Sequence, residues 1–219
     1  PNLKWLKEEL ASIENQTFRQ FQLYIWNDDP HDEYPYETFF SLHLKHTPFK
    51  LFHGPNNMGS NKVFETLTTL VHTPYIAYCD QDDVWLPEKL STLVSLIAHE
   101  NVVLTFSDMY VMDGTSKIIA DSITDIRPRQ IIYSDDNLVS QLLAKNFITG
   151  CTILMQTQIA QKAVPFPDIF FHDWWLAVFA ALSGKIEKAD RPLMNYRVYR
   201  GNQSKPLAGI HSKAEYLEK

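Results

Sequence analysis

Residues 75–90, YIAYCDQDDVWLPEKL, decide how the rest of the chain is read. Tyr75 to Tyr78 are strand-like, three aspartates (Asp80, Asp82 and Asp83) follow within four positions, and a helix is predicted to begin near Pro87. Like charges at the end of an apolar strand repel one another and lose hydration, and both effects cost free energy. Something positive is therefore expected beside them. An Asp-x-Asp pair at a strand end is a good oxygen-donor set for a hard divalent cation, Mg2+ or Mn2+, which takes few protein carboxylates and bridges to substrate phosphates. The competing reading is that the acids, Asp83 above all, cap the helix from Pro87, because negative charge favours a helix N-terminus. Spacing alone leaves both readings open.

Outward from this stretch the chain alternates strands and helices. Trp5, Leu6, Leu10 and Ile13 recur at helical spacing and predict an amphipathic helix over 3–15. Strands are predicted at 21–26 and 49–53, each followed by a helix, at 37–46 and 61–72. After the acidic loop come a helix at 87–99, a buried strand at 102–106, a helix at 136–145 and a strand at 151–155. The apolar helix 173–184 is stopped by Gly184, and a last strand is predicted at 192–199. Such alternation with short connections predicts βαβ units and a mostly parallel sheet. Asp28, Asp80 and Asp108 all fall at predicted strand ends, where open α/β sheets hold their ligands.

Composition narrows the function. With 219 residues, 45% of them hydrophobic, the chain suits one α/β domain with a sizeable core. A net charge of -6 excludes a general nucleic-acid binder, which needs a basic face, while leaving room for a local basic pocket. The two cysteines, Cys79 and Cys151, lie in apolar stretches and are expected as a reduced pair rather than a disulfide. No signal peptide is recognisable, and no apolar run approaches the roughly 20 residues that cross a bilayer. Gly-rich phosphate loops are absent, against a dinucleotide oxidoreductase or a P-loop enzyme. No histidine pair has a zinc spacing.

A second acid stands out in FFHDWWLAVFAALSGK, residues 170–185. Asp173, between His172 and the pair Trp174 and Trp175, falls in the first turn of the apolar helix. Aspartate is common there for capping reasons alone. A carboxylate partly desolvated by two indoles is also more basic, which suits a general base. Asp108, after VVLTFS, reads as a sugar or acceptor contact or as a turn-forming aspartate.

Taken together, YIAYCDQDDVWLPEKL, FHDWWLAVFAALSGKI and NYRVYRGNQS occur in an order that resembles the family 2 inverting glycosyltransferases of the GT-A fold. The likeness is strongest to the bacterial branch that builds cell-surface polysaccharides, rhamnosyltransferases included. The resemblance implies an α/β, Rossmann-like, mostly parallel central sheet flanked by helices. One glycosyltransferase domain would span 1–205, with the nucleotide-sugar part over 1–108 and the acceptor part over 109–205, followed by a helical tail at 206–219. It further implies a nucleotide-diphosphate sugar donor, a glycan or lipid-linked saccharide acceptor, Mn2+ or Mg2+, and an SN2-like transfer. Asp82 then matches the direct metal ligand and Asp80 the residue facing the ribose or nucleotide as well as the metal. Asp173 matches the acid that takes the acceptor proton; Asp28, with Asp29 as fallback, and Lys62 match positions near the nucleotide. Trp174 and Trp175 match a wall of the acceptor pocket, or core residues. A cytoplasmic location, peripheral at the inner face of the membrane, follows from the same likeness.

Two departures accompany it. Family members open with a strand that forms part of the nucleotide pocket, and nothing before Pro1 supplies it, so the chain is expected to be a trimmed piece or to grip nucleotide less well. Where relatives carry a histidine near the diphosphate, this chain has Tyr199 followed by Arg200, whose guanidinium suits a diphosphate. Both departures favour the alternative of a glycosyltransferase-like module that holds nucleotide or glycan without turnover. A metal-dependent phosphohydrolase shares the acidic loop but leaves the His-Asp-Trp-Trp helix without a purpose.

Overall fold

The computed structural model describes residues 1–126 and 137–199. In chain order its elements are α1 (Leu3–Glu14), β1 (Leu23–Asn27), α2 (Tyr36–His43), β2 (Phe49–His53), α3 (Ser60–Leu70) and β3 (Tyr75–Ala77). Then follow β4 (Val84–Trp85), α4 (Lys89–Ile97), β5 (Val102–Phe106), β6 (Tyr110–Met112), β7 (Ile118–Ala120) and α5 (Ile123–Ile126). The remainder is α6 (Leu138–Ala144), β8 (Leu154–Gln156), α7 (Thr157–Lys162), α8 (His172–Ser183), β9 (Lys185–Lys188) and β10 (Met194–Arg197). The expected tail at 206–219 and Arg200 lie outside the described residues.

The strands form three sheets: the parallel pair β1–β2, a four-stranded sheet β3-β8-β5-β9, and a four-stranded sheet β4-β10-β6-β7. The α/β class is as expected, but the ladders are mixed: three described pairings are parallel and four antiparallel. The reason lies in β8. It runs antiparallel to both β3 and β5 and sits between them, so the two strands joined through α4 are parallel to each other without touching. β8 also begins later than the predicted 151–155, because Gly150–Thr152 form a 3-10 turn and carry Cys151 off the sheet.

β5 is buried at every position, as a strand covered on both faces must be. One face packs Val103, Leu104 and Phe106 against Leu176, Ala177 and Ala180 of α8. Toward α4, Val102 meets Leu93 and Ile97. Gly184, at the end of α8, is in extended backbone; a Cβ there would come within 2.6 Å of Val103 Cγ1, so the glycine serves close helix–strand approach. Among the described residues no helix is long and apolar enough to cross a membrane.

Helix α1 is capped by Asn2, whose side chain accepts from the N–H of Lys4 and Trp5. Its inner face mixes Leu6, Leu10 and Ile13 with three buried polar residues, Glu9, Ser12 and Gln16, the last just past the helix end. Those polar groups reach the acidic loop's surroundings. Ser12 Oγ accepts from Trp85 N at 2.9 Å, Gln16 Nε2 donates to Leu86 O at 2.8 Å, and Leu90 N donates to Gln16 Oε1 at 3.1 Å.

Candidate active site

β3 ends at Ala77 and releases the chain into the loop 78–83 before β4 begins. The loop is fastened to β10. Asp83, fully buried, accepts from Arg197 N at 2.9 Å, and the Asp82 carbonyl accepts from Arg197 Nε at 2.7 Å. Tyr199 donates its hydroxyl to Asp82 Oδ2 at 2.6 Å. Asp83 does not cap the helix: α4 starts at Lys89 with Glu88 at its N-cap and no side-chain cap bond. The correction has a simple cause. β4 inserts between the acids and the helix and pairs with β10 through Val84↔Asn195 and Trp85↔Met194, which turns Asp83 inward.

The positive partners expected from the sequence are present in the protein itself. Lys89 and Arg197 are both fully buried. The Lys89 ammonium donates to the Cys151 carbonyl and lies 3.7 Å from the Trp85 ring centroid. Burial pushes its pKa down, while the neighbouring Cys151, Cys79, Glu9 and Asp83 hold it up. Arg197 spreads its guanidinium over Ser116 Oγ at 2.8 Å and Glu8 Oε2 at 2.6 Å. Glu9, also buried, accepts from the Cys79 thiol at 2.7 Å, and its other oxygen has no partner. Burial, then Asp83, pushes the Glu9 carboxyl well above the usual range. Both cysteines are free, as expected, and burial raises both thiols.

These cations do not neutralise the loop. Loss of solvent, followed by the nearby Asp82 and Asp173 carboxylates, pushes Asp80 up to about 7. Asp82 is raised by burial, with Tyr199 and Arg197 opposing. Asp80 thus feels both its loop neighbour Asp82 and Asp173, which is distant along the chain. Asp173 sits in the first turn of α8, where Oδ2 accepts from Gly150 N at 3.1 Å and Oδ1 from Trp174 N at 2.7 Å. Its neighbour His172 packs against the rings of Phe64 and Tyr78, at 4.3 and 5.7 Å, and burial lowers its pKa. A Cβ on Gly150 would lie 2.7 Å from His172 Nε2, so the turn carrying Gly150 passes α8 at a distance only glycine allows.

The donor set fits a hard divalent cation on chemical grounds. Asp80 and Asp82 offer oxygens whose charge the surroundings leave undercompensated, and the fully buried Asp83 adds a third carboxylate beside them. Donor atoms of Asp80, Asp83 and Cys151 lie within 4.8 Å of one another. Asp80 is the shared member of both sets; the Cys151 thiol, held protonated by burial, is a poor ligand for Mg2+ or Mn2+.

The other expected residues are distributed as follows. Asp28, just past the end of β1, accepts from Met58 N at 2.9 Å and Gly59 N at 2.8 Å, fastening the entry to α3. Asp29 accepts from His31 N. Lys62, on α3, is ion-paired with Glu65. Asp108 accepts from Met109 N, Ser122 Oγ and Ile123 N, so it organises the start of α5. The indoles of Trp174 and Trp175 donate to Leu142 O and Ala163 O at 2.5 and 2.7 Å and pack on the core beside Phe170. Two cavities, of about 440 and 510 Å³, lie elsewhere, one beside His72 and Gln156 and one between α6 and β9. Sequence reasoning did not single out Lys89, Arg197, Glu8 or Glu9; a lysine opening a helix behind three aspartates was the available signal for the first.

Comparison with known proteins extends these observations. A sequence profile described as "Glycosyl transferase family 2" matches residues 2–163. The UDP-Glc:alpha-D-GlcNAc-diphosphoundecaprenol beta-1,3-glucosyltransferase WfgD of Escherichia coli is 22% identical over 171 residues, 78% of this chain and 62% of that protein. The dTDP-rhamnosyl transferase RfbG of Shigella flexneri is 25% identical over 232 residues, covering 97% of this chain and 74% of its own. Among solved structures, S. aureus TarS 1-349 in complex with UDP-GlcNAc superposes with a TM-score of 0.67 at 15% identity, over 89% of this chain and 55% of that one. Mannosyltransferase PcManGT from Pyrobaculum calidifontis, in complex with GDP-Man and Mn2+, gives 0.64 at 12% identity, over 89% and 53%. The chain therefore has the GT-A fold, and it spans less than two thirds of WfgD and of either solved structure.

Proposed function

The chain belongs to glycosyl transferase family 2, and from that premise we propose that it is an inverting glycosyltransferase. It moves a hexose or deoxyhexose from a UDP- or dTDP-sugar onto a hydroxyl of a glycan or lipid-linked acceptor in surface polysaccharide synthesis. The names of WfgD and RfbG, a UDP-glucose and a dTDP-rhamnose enzyme, support both the donor class and the setting. The single observation that carries the reading is that the turn at Gly150–Thr152 joins two distant acids: Gly150 N donates to Asp173, and the Cys151 thiol lies within 4.8 Å of the Asp80 carboxylate.

Inversion needs the acceptor oxygen to form its bond to the anomeric carbon as the bond to the diphosphate breaks on the opposite side. Asp173 takes the acceptor proton, and Gly150 N and Trp174 N hold its two oxygens in place. Asp80 and Asp82 would hold a divalent cation, Mn2+ or Mg2+. That cation, when bound, supplies Lewis-acid stabilisation of charge on the leaving diphosphate. The family resemblance assigns Asp28 and Lys62 to the nucleotide, Arg200 to the diphosphate, and Trp174, Trp175 and Asp108 to the acceptor. The loop's grip on β10, through the Asp83 side chain and the Asp82 carbonyl, holds the loop in place while negative charge develops on the leaving diphosphate.

Replacing Asp173 with asparagine tests the assignment. Asp173→Asn keeps the side chain's size and one of its two acceptors but not its basicity, so donor binding by calorimetry stays near parental while transfer falls by at least about 1,000-fold. Sugar transfer at the parental rate by Asp173→Asn refutes the assigned base.

A further inference from the structure

We propose that Arg197 is a positioning residue for the cation-binding loop and that helix α1, through Glu8, belongs to the donor-site machinery. The inference rests on the reading that Asp82 ligates the cation. Arg197, like Lys89, has none of its surface open to solvent beside the loop. It touches the loop twice, through its own N–H to Asp83 Oδ1 and through Nε to the Asp82 carbonyl. The first contact holds the Asp83 side chain and the second the Asp82 carbonyl, both just C-terminal to the Asp82 Cα, while Tyr199 donates to the Asp82 carboxylate itself.

The other face of the guanidinium is held by groups far away in sequence. Glu8 Oε2 accepts from Arg197 Nη2 at 2.6 Å and from Ser116 Oγ at 2.7 Å, and Ser116 Oγ in turn accepts from Arg197 Nη1 at 2.8 Å. Trp5, one turn earlier on α1, lies under the guanidinium at 5.1 Å and beside the Tyr199 ring at 4.6 Å. A planar fork with five donors can hold the Asp82 carbonyl, Ser116 and Glu8 together; an ammonium has neither the reach nor the geometry. Glu8 thus acts on Asp82 through one intermediate residue. Arg197 and Glu8 touch no reacting atom; they set where the ligand carboxylate stands.

Calorimetric titration of Mn2+ into the full chain, in the presence of UDP, tests this without relying on turnover. Glu8 is partly exposed, so Glu8→Ala is expected to fold. It should weaken Mn2+ binding about tenfold, the size of one charge-assisted hydrogen bond lost from the placement of a ligand, with UDP binding in the absence of Mn2+ unchanged. Glu8→Gln, which keeps an acceptor for Arg197, should recover most of that loss, and Arg197→Lys should lose at least as much as Glu8→Ala. Loss of Mn2+ binding in Asp82→Asn together with parental binding in Glu8→Ala overturns this inference alone. Parental Mn2+ binding in Asp82→Asn overturns the assignment of Asp82 on which it rests.

Discussion

Replacing Gly150 with alanine puts one methyl group where the structure has no room for it. The new Cβ would stand 2.7 Å from His172 Nε2 and 3.3 Å from Asp173 Cβ, against ordinary contact beginning near 3.4 Å. The imidazole cannot retreat. It is flanked by Phe64 and Tyr78, and its backbone N–H is tied to Asn61 Oδ1 at 2.6 Å. The displacement of about 0.7 Å must fall on the 150–152 turn or on the first turn of α8, and either movement stretches the 3.1 Å bond from Gly150 N to Asp173 Oδ2. Overpacking of this kind costs about 2 kcal/mol, a fall of about 4–8 °C in Tm for a chain of this size. Moving a catalytic base by most of an ångström costs about 30- to 100-fold in kcat. Differential scanning fluorimetry reads the first effect and nucleotide release from the donor sugar the second. Shrinking the obstacle should undo both: Gly150→Ala with His172→Ala recovers a large part of the melting temperature and of the rate. A Gly150→Ala protein with parental Tm and parental kcat would refute the close-approach argument.

Other outcomes follow from the buried charges. Lys89→Met removes the ammonium that faces Asp83 and Glu9 and should cost about 3–5 kcal/mol in a urea melt, because it leaves a buried carboxylate without its counter-charge. Glu9 sets a pH dependence whose sign is fixed by its raised carboxyl. The folded state keeps a proton that the unfolded chain releases above its ordinary 4.5, so Glu9's contribution to stability declines as pH rises from there toward the raised folded value. Glu9→Gln, neutral at every pH, should therefore melt higher than the parent at about pH 7.5 and no higher at about pH 4; a constant offset at both would contradict the assignment. UDP or dTDP should bind more tightly with Mn2+ than without it in calorimetry, and Asp80→Asn should erase the difference.

Much of the frame was legible in the sequence because it depends on local pattern. The apolar spacing of Leu6, Leu10 and Ile13 marks α1, and the runs FKLFH and VVLTF coincide with β2 and β5 at both ends. What escaped depends on contacts distant in sequence or on very short pairings. β4 has two residues and exists only because β10 lies beside it. The β6–β7 hairpin did have a local signature, an Asp-Gly pair between apolar residues, with Asp113 accepting from Thr115 and Lys117 in the turn. At the site, the like charges of 80–83 correctly demanded a positive partner. Spacing could not reveal that Lys89 and Arg197 supply part of it, since a buried cation is recognised only by what surrounds it.

The fastening of the acidic loop also sets a clock on its synthesis. Asp82 and the arginine that secures it are separated by 115 residues. On the ribosome, the loop emerges long before its fastener does. Translation at ~5–20 residues per second leaves a nascent chain for several seconds with its ligand carboxylates present and unanchored. The proposed cation site would then form late, once the strand that fastens the loop clears the exit tunnel.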